Sequence, residues 1–196
     1  MKLILVRHGE TYENVNKICQ GHYNSQLTEK GIQQAKNAAE ALKDIKIDIA
    51  LSSDLDRALN TCKEILKFHS QISLKTDIIL REQAKGIYEG KLSSTRDKYL
   101  KENNILFQYW KPEGGESLVE VWKKVVDYIE KLKVEHQNET ILLVSHGGPI
   151  SCILAYLHGK NIDSYKEFSP KNTAISIINL NRNIEFETLN NYEHLE

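Results

Sequence analysis

Apolar residues occur along this chain in short continuous runs, and these runs alternate with segments in which apolar residues recur every three or four positions. Continuous runs of this length predict strands that are buried on both faces. The strands predicted in this way occupy residues 3–6, 47–51, 72–74 and 140–144. Two later runs, 174–180 and 184–189, flank a polar tripeptide and predict a hairpin.

The first two segments between strands carry helix-start signals. Residues 27–45 predict a helix that Thr28 can cap and whose apolar face includes Ile32. Ser53, with Asp56 three residues further on, predicts the capped start of a second helix.

Two more helices are predicted on either side of the run 140–144. One covers about 118–132 and begins at a capping box formed by Ser117 and Glu120, and the other covers 149–157. Strands that alternate with helices indicate an α/β protein with helices on both faces of the sheet. We therefore predict a three-layer α/β/α sandwich with a mainly parallel central sheet.

The chain shows no linker, so we predict one domain over residues 1–196. Residues 77–115 are less regular than the rest, and within them about 91–113 is predicted to form a small cap insertion. Long ordered connections of this kind are often functional.

Composition and charge exclude several classes of protein. The chain is 40% apolar and 27% charged with a net charge of −1, which describes a soluble globular protein and disfavours nucleic-acid binding by bulk charge. No apolar run approaches the roughly 18–20 residues that cross a bilayer. The run before Arg7 is too short for a secretion signal, so a cytoplasmic location is expected. Three widely spaced cysteines predict free thiols, not disulfides or a zinc site.

One pattern occurs twice: a buried strand, one polar residue, then His-Gly. It places His8 after the run 3–6 and His146 after the run 140–144. If both strands are central and parallel, both imidazoles lie at the carboxyl edge of the sheet, where ligands bind in such folds. A single histidine there would usually be structural, but two in matching contexts indicate a site.

Two arginines extend this candidate site. Arg7 precedes the first histidine, and Arg57 lies early in the helix after the second strand. Guanidinium groups bind phosphate through a rigid set of donors, so this set of residues predicts an anion site. The sequence contains no HExxH, HxH, P-loop or GxGxxG motif, and we predict neither a metal nor a cofactor.

At these residues the sequence resembles the histidine phosphatase superfamily, the phosphoglycerate mutase-like group. The resemblance covers most of the chain and rests on several motifs in the same order. These motifs are Arg7-His8-Gly9-Glu10-Thr11 with Asn14, Gln20-Gly21-His22, Leu27-Thr28-Glu29-Lys30-Gly31, Ser52-Ser53-Asp54-Leu55 with Arg57, Leu80-Arg81-Glu82 with Glu89-Gly90, Gly114-Gly115-Glu116-Ser117 and Ser145-His146-Gly147.

The resemblance implies a catalytic role for each of five residues. His8 would be the nucleophile and would carry the phosphoryl group as phosphohistidine. Arg7, Arg57 and His146 would neutralise the phosphoryl oxygens. Glu82 would be the general acid, because a dianionic phosphate nearby favours its protonated form.

The remaining positions that the resemblance implies would bind substrate. Asn14, Gly21 and Gly147 are the residues expected to donate hydrogen bonds or approach the phosphate closely. Glu89 would be structural. Because fixed cations take the place of magnesium in this family, no metal is expected.

The resemblance leaves the reaction open between two activities. Transfer to water makes a phosphatase, and return to bound glycerate makes a cofactor-dependent phosphoglycerate mutase. Mutases of this family are usually longer around residues 91–113 and at the carboxyl end, so we predict a phosphatase that acts on a small phosphorylated metabolite. Membrane and nucleic-acid partners are not expected, and a homodimer is compatible with the resemblance.

The cap offers two open questions about the substrate. Four basic side chains could meet a second acidic group or could simply be solvated: Lys85, Lys91, Arg96 and Lys98. The apolar cluster at 105–110 could be the packing core of the cap or a wall for a bulkier substrate.

Overall fold

The computed structural model describes residues 1–195. Within them, six strands form one sheet in the order β3-β2-β4-β1-β5-β6. The strands are β1 Lys2–Arg7, β2 Ile49–Ser52, β3 Leu74–Thr76, β4 Thr140–Ser145, β5 Ile175–Leu180 and β6 Ile184–Asn191.

The pairing of the two central strands determines where the site lies. β1 and β4 are parallel neighbours, with Leu3 opposite Ile141 and Arg7 opposite Ser145. β2 is parallel to both β4 and β3, while β5 and β6 form an antiparallel hairpin at the other edge. The predicted mainly parallel sheet and late hairpin are therefore confirmed.

Helices cover both faces of this sheet. They are α1 Tyr12–Val15, α2 Glu29–Leu42, α3 Asp56–Ile65, α4 Ser93–Glu102, α5 Leu118–Glu135 and α6 Gly147–Leu157. One apolar core packs α2 and α3 against the sheet, and a second packs α5 and α6 against its other face. The fold is the predicted three-layer sandwich. Short 3-10 turns occupy Leu66–Phe68, Ile78–Leu80, Gly86–Tyr88, Phe107–Tyr109, Ile162–Phe168 and Glu193–Leu195.

The helix starts agree with the sequence at two places and differ at one. Thr28 caps α2, and Ser117 and Glu120 form the predicted capping box of α5. The cap predicted at Ser53 is wrong, because α3 begins after Leu55 without a side-chain cap. Ser53 is fully buried and its hydroxyl contacts an imidazole instead.

The apolar face predicted for α2 also needs one correction. Ile32 is 40% exposed, whereas Ala35, Ala38, Ala39 and Leu42 face the core. The face of this helix is rotated toward the small side chains, which let α2 lie close to the sheet.

Residues 91–113 contain α4 and the turn Phe107–Tyr109. Trp110 is buried, while Leu106 and Tyr109 are exposed. The apolar cluster of this segment is thus only in part a packing core. Among residues 1–195, no helix is both long and apolar enough to span a membrane.

Candidate active site

The carboxyl ends of β1 and β4 bring two histidines side by side. His8 follows β1 and its amide donates to Ser145 O at 3.0 Å, while His146 follows β4. The ring centroids of His8 and His146 lie 5.1 Å apart. The repeated strand-and-His-Gly pattern predicted this arrangement.

Hydrogen bonding assigns the tautomer of His8. Its Nδ1 lies 2.7 Å from Gly9 O, and a carbonyl can only accept, so Nδ1 carries the proton. Nε2 makes no hydrogen bond to any of residues 1–195 and keeps its lone pair. Burial, then the charges of Arg57 and Arg7, hold the pKa of His8 well below its usual value of 6.5. The imidazole is therefore neutral at pH 7, as a nucleophile must be.

Arg57 is 1% exposed and is held in place by several acceptors. Its Nε donates to His146 Nδ1 at 3.1 Å, Nη1 to Tyr23 O at 2.9 Å and Nη2 to Gly21 O at 2.8 Å. Burial lowers its pKa to about 10, so the guanidinium stays charged at neutral pH. The structure therefore fixes a cation beside both histidines.

His146 uses both of its ring nitrogens within the protein. Nδ1 accepts from Arg57, so the proton lies on Nε2, which donates to Ser53 Oγ at 2.8 Å. Burial and the nearby cations hold the pKa of His146 well below 6.5. The ring is therefore neutral in this arrangement, and its expected role at the phosphoryl oxygens stays a prediction. Its contribution here is to orient Arg57.

Arg7 keeps more of its donors unpaired than Arg57 does. Nη1 donates to Pro170 O at 2.8 Å, but the buried Nε has no hydrogen-bond partner among residues 1–195. An unpaired buried N–H is costly and calls for an explanation, and an anion bound at Nε would provide one. Nε lies 3.7 Å from the position of a Cβ built on Gly147, so this donor faces the start of α6.

Glu82 approaches the same helix start. Oε1 accepts from Gln83 N at 2.9 Å and Oε2 from Gly148 N at 3.2 Å. A Cβ at Gly148 would lie 2.3 Å from Glu82 Oε1, so only glycine allows this approach. Gly148 was not among the predicted site residues, although the second glycine of His-Gly-Gly was an available signal.

The segment that carries Glu82 is fixed on both sides. Arg81 forms a bidentate pair with Asp54, at 2.7 and 2.5 Å. His22 Nε2 donates to the Glu82 carbonyl at 2.9 Å. These contacts hold the backbone of Glu82 and of the residue before it, in addition to the two hydrogen bonds that its carboxyl group accepts.

Asn14 presents its amide nitrogen as a free donor. Its Oδ1 accepts from Thr11 N and from Asn172 Nδ2, both at 3.2 Å. Nδ2 therefore carries the two N–H groups, and it makes no hydrogen bond within residues 1–195. Asn172 also donates to His8 O at 3.0 Å, and the sequence offered no motif that could have identified it.

Gly21 is required by its backbone and its surroundings. It has φ +54, and a Cβ there would lie 2.2 Å from Glu89 Oε1. Glu89 accepts from His22 N at 2.8 Å and Lys85 N at 2.9 Å, so it holds the loop. The structural role expected of Glu89 matches these contacts.

A cavity of about 220 Å³ opens beside Glu82, Gly147 and Gly148. Lys85 and Arg96 also line it. Within residues 1–195, no group of three His, Cys, Asp or Glu side chains is arranged to hold a metal ion.

Comparison with known proteins identifies the family. The model of the histidine phosphatase superfamily, branch 1, matches residues 3–191. The chain therefore belongs to the histidine phosphatase superfamily, which confirms the resemblance drawn from its motifs.

The names of the relatives differ in the activity that they state. The chain is 32% identical to phosphoserine phosphatase 1 of Hydrogenobacter thermophilus, over 92% of this chain and 87% of that protein. It is 33% identical to a 2,3-bisphosphoglycerate-dependent phosphoglycerate mutase of Mesorhizobium japonicum, over 81% and 82%. The crystal structure of the α-ribazole phosphatase of Shigella flexneri superposes with a TM-score of 0.88 at 30% identity, over 98% and 97%.

Proposed function

We propose that the protein is a metal-independent phosphomonoesterase that hydrolyses small phosphorylated metabolites through a phosphohistidine on His8. The observation that carries this proposal is the tautomer of His8, whose free Nε2 lies in a site with two charged arginines. Family membership supports the same chemistry.

In the first step, His8 Nε2 attacks phosphorus and the bond between phosphorus and the alcohol oxygen breaks. Glu82 gives its proton to the leaving oxygen. Arg7, through its unpaired Nε–H, and Arg57 stabilise the charge on the equatorial oxygens, with Asn14 Nδ2 as a further donor.

In the second step, water attacks the phosphohistidine and the P–N bond breaks. Glu82, now ionised, takes a proton from that water, and inorganic phosphate leaves. His8 returns to its starting tautomer because Nδ1 stays bonded to Gly9 O throughout. Gly21 and Gly147 would allow the phosphate to approach the backbone.

Metal independence rests on the charge that the chain itself supplies. Arg7 and Arg57 remain cationic at neutral pH. They can neutralise the charge that develops on the phosphoryl oxygens, as divalent metal ions do in other phosphoryl-transfer enzymes. We expect chelators to leave turnover unchanged.

The phosphatase is favoured over the mutase because the segment 91–113 is short, comprising α4 and one turn. We propose that it forms the substrate cap of a single domain over 1–196. A mutase among the relatives keeps the alternative open to test. The cytoplasmic location and the homodimer stay predictions.

Phosphorus NMR separates the two activities in one experiment. The protein is mixed with 3-phosphoglycerate, a trace of 2,3-bisphosphoglycerate and EDTA. Inorganic phosphate without 2-phosphoglycerate supports the phosphatase. Rapid formation of 2-phosphoglycerate makes the protein a mutase. If neither product forms, a panel of phosphomonoesters decides whether the site hydrolyses anything at all.

A further inference from the structure

Lys85 is a charged side chain in an unusual position. It is 7% exposed, and Nζ donates to Gln83 Oε1 at 2.5 Å. No carboxylate of residues 1–195 forms a salt bridge with it. A buried ammonium that no carboxylate contacts directly is costly to maintain, so the position requires an explanation.

A second cation lies close to the same aromatic ring. Lys85 Nζ is 4.4 Å from the centroid of Phe107, and Arg96 Cζ is 5.1 Å from it. Arg96 pairs with Asp97 at 2.7 Å, and the side chain of Asp97 is 60% exposed. Phe107 thus lies beside two cations, and among residues 1–195 the one carboxylate in a salt bridge with either of them is mostly exposed to solvent.

These cations line the same cavity as the proposed general acid. The walls of the cavity of about 220 Å³ include Glu82, Gly147 and Gly148 together with Lys85 and Arg96. An outer hollow of about 470 Å³ also has Arg96 in its wall, together with Phe107 and Tyr165, which line both spaces. A leaving alcohol beside Glu82 would therefore extend toward the two cations.

We propose that Lys85 and Arg96 form a subsite for a second anionic group on the leaving alcohol, a carboxylate or a second phosphate. This inference rests on the proposed function, because it assigns the substrate class of the same site. Ordinary phosphomonoesters with a neutral alcohol would leave Lys85 without its counter-ion.

Electrostatics support the assignment. Burial lowers the pKa of Lys85 to about 8, against the opposing charge of Glu82, so the ammonium is charged at pH 7. The other charged or ionisable groups that affect the pKa of Lys85 are Arg96, Cys19 and Glu116. Of these, Glu116 is already paired with Lys124. An anion in the cavity would satisfy both the Lys85 ammonium and the Arg96 guanidinium.

The test compares three substrates that share one carbon skeleton. 3-Phosphoglycerate carries a carboxylate, glycerol 1,3-bisphosphate a second phosphate, and glycerol 3-phosphate neither. We expect wild-type kcat/KM for one of the two anionic substrates to exceed that for glycerol 3-phosphate by at least about ten-fold. The anionic substrate that is preferred identifies the group that the subsite binds.

Variants locate the effect. Lys85→Met and Arg96→Met should each reduce the ratio of anionic to neutral kcat/KM by at least about five-fold. Lys91→Met and Lys98→Met, which alter exposed lysines of the same segment, should leave that ratio unchanged. If Lys85→Met does not fold, Lys85→Arg and Arg96→Met carry the test, and Lys85→Arg should retain most of the preference.

Two results overturn the subsite: equal wild-type kcat/KM for all three substrates, or a preference that survives both Lys85→Met and Arg96→Met. Turnover of p-nitrophenyl phosphate distinguishes failure of the subsite proposal from failure of the proposed function. If wild type hydrolyses p-nitrophenyl phosphate but none of the three glycerol compounds, the subsite is wrong and the phosphatase stands. If it hydrolyses none of the four, the proposed function is wrong as well.

Discussion

Arg57 donates from Nε to Nδ1 of His146 at 3.1 Å, and this bond ties the two halves of the site together. Arg57 comes from α3, while His146 lies between β4 and α6. The imidazole fixes the direction of the guanidinium, while burial and then the charge of Arg57 hold the pKa of the imidazole well below 6.5. We therefore expect His146 to act on a phosphoryl group through Arg57.

Replacement of Arg57 by lysine should remove this coupling. A lysine ammonium cannot reach His146 Nδ1 and Gly21 O together, because it lacks the planar set of donors. We expect Arg57→Lys to lower kcat/KM by roughly 100-fold or more. Arg182→Lys, at an exposed arginine of the hairpin, is the matched control. Near-normal activity of Arg57→Lys would show that charge alone suffices.

The two glycines after His146 should respond differently to alanine. At Gly148 the new Cβ would lie 2.3 Å from Glu82 Oε1, whereas at Gly147 its nearest neighbour would be Arg7 Nε at 3.7 Å. Gly148→Ala should displace the flexible carboxyl group and reduce kcat/KM on alkyl phosphates by about 10-fold to 100-fold, with little loss of Tm. Gly147→Ala should reduce kcat/KM by a smaller factor. A larger loss for Gly147→Ala than for Gly148→Ala would show that Glu82 does not act from this position.

The leaving group should decide how much Glu82 matters. Glu82→Gln cannot protonate an alkoxide, so kcat/KM for an alkyl phosphate should fall by about 10²–10⁴-fold. For p-nitrophenyl phosphate, whose leaving group needs no proton, we expect a loss of less than about ten-fold in kcat/KM. An equal loss on both substrates argues against general acid catalysis by Glu82.

Stability should depend on pH because of the two buried histidines. The pKa values of His8 and His146 are held well below 6.5 in the folded protein. Below pH ~6.5 the unfolded chain therefore binds protons that the folded chain does not, and the free energy of unfolding falls as pH falls. Each histidine contributes up to ~1.4 kcal/mol per pH unit.

Urea unfolding between pH 7 and 5 measures this slope. His8→Gln and His146→Gln should each flatten it, since glutamine does not titrate. His194, whose pKa is also lowered by burial, contributes to the slope that remains. An unchanged slope in both variants would show that neither imidazole resists protonation in the folded state.

The sequence predicts the sheet and the pair of histidines well because their signals are local and repeated. Two buried strands that each end in a polar residue and His-Gly can be placed at one edge by the rules of parallel sheets alone. The Thr28 cap and the capping box at Ser117 depend on neighbours within one turn, so α2 and α5 begin where they were predicted to begin.

The features of the site that the sequence did not predict depend on contacts between distant segments of the chain. Nothing near Arg57 in the chain indicates that it is buried against Gly21 and His146, which lie 36 and 89 positions away. Lysine is normally exposed, and only the tertiary packing of Phe107 over Lys85 buries it. For the same reason, the sequence did not reveal Gly148 as the partner of Glu82.

The central claim is that His8 forms a phosphohistidine, and a burst experiment with Glu82→Gln and p-nitrophenyl phosphate tests it most directly. The leaving group needs no acid, but hydrolysis of the intermediate needs the missing base, so the phosphoenzyme should accumulate. We predict a burst of one equivalent of p-nitrophenolate, an acid-labile phosphoryl group on the peptide that contains His8, and neither in the double variant His8→Ala, Glu82→Gln. Steady turnover without a burst, or a burst that persists without His8, would contradict the account.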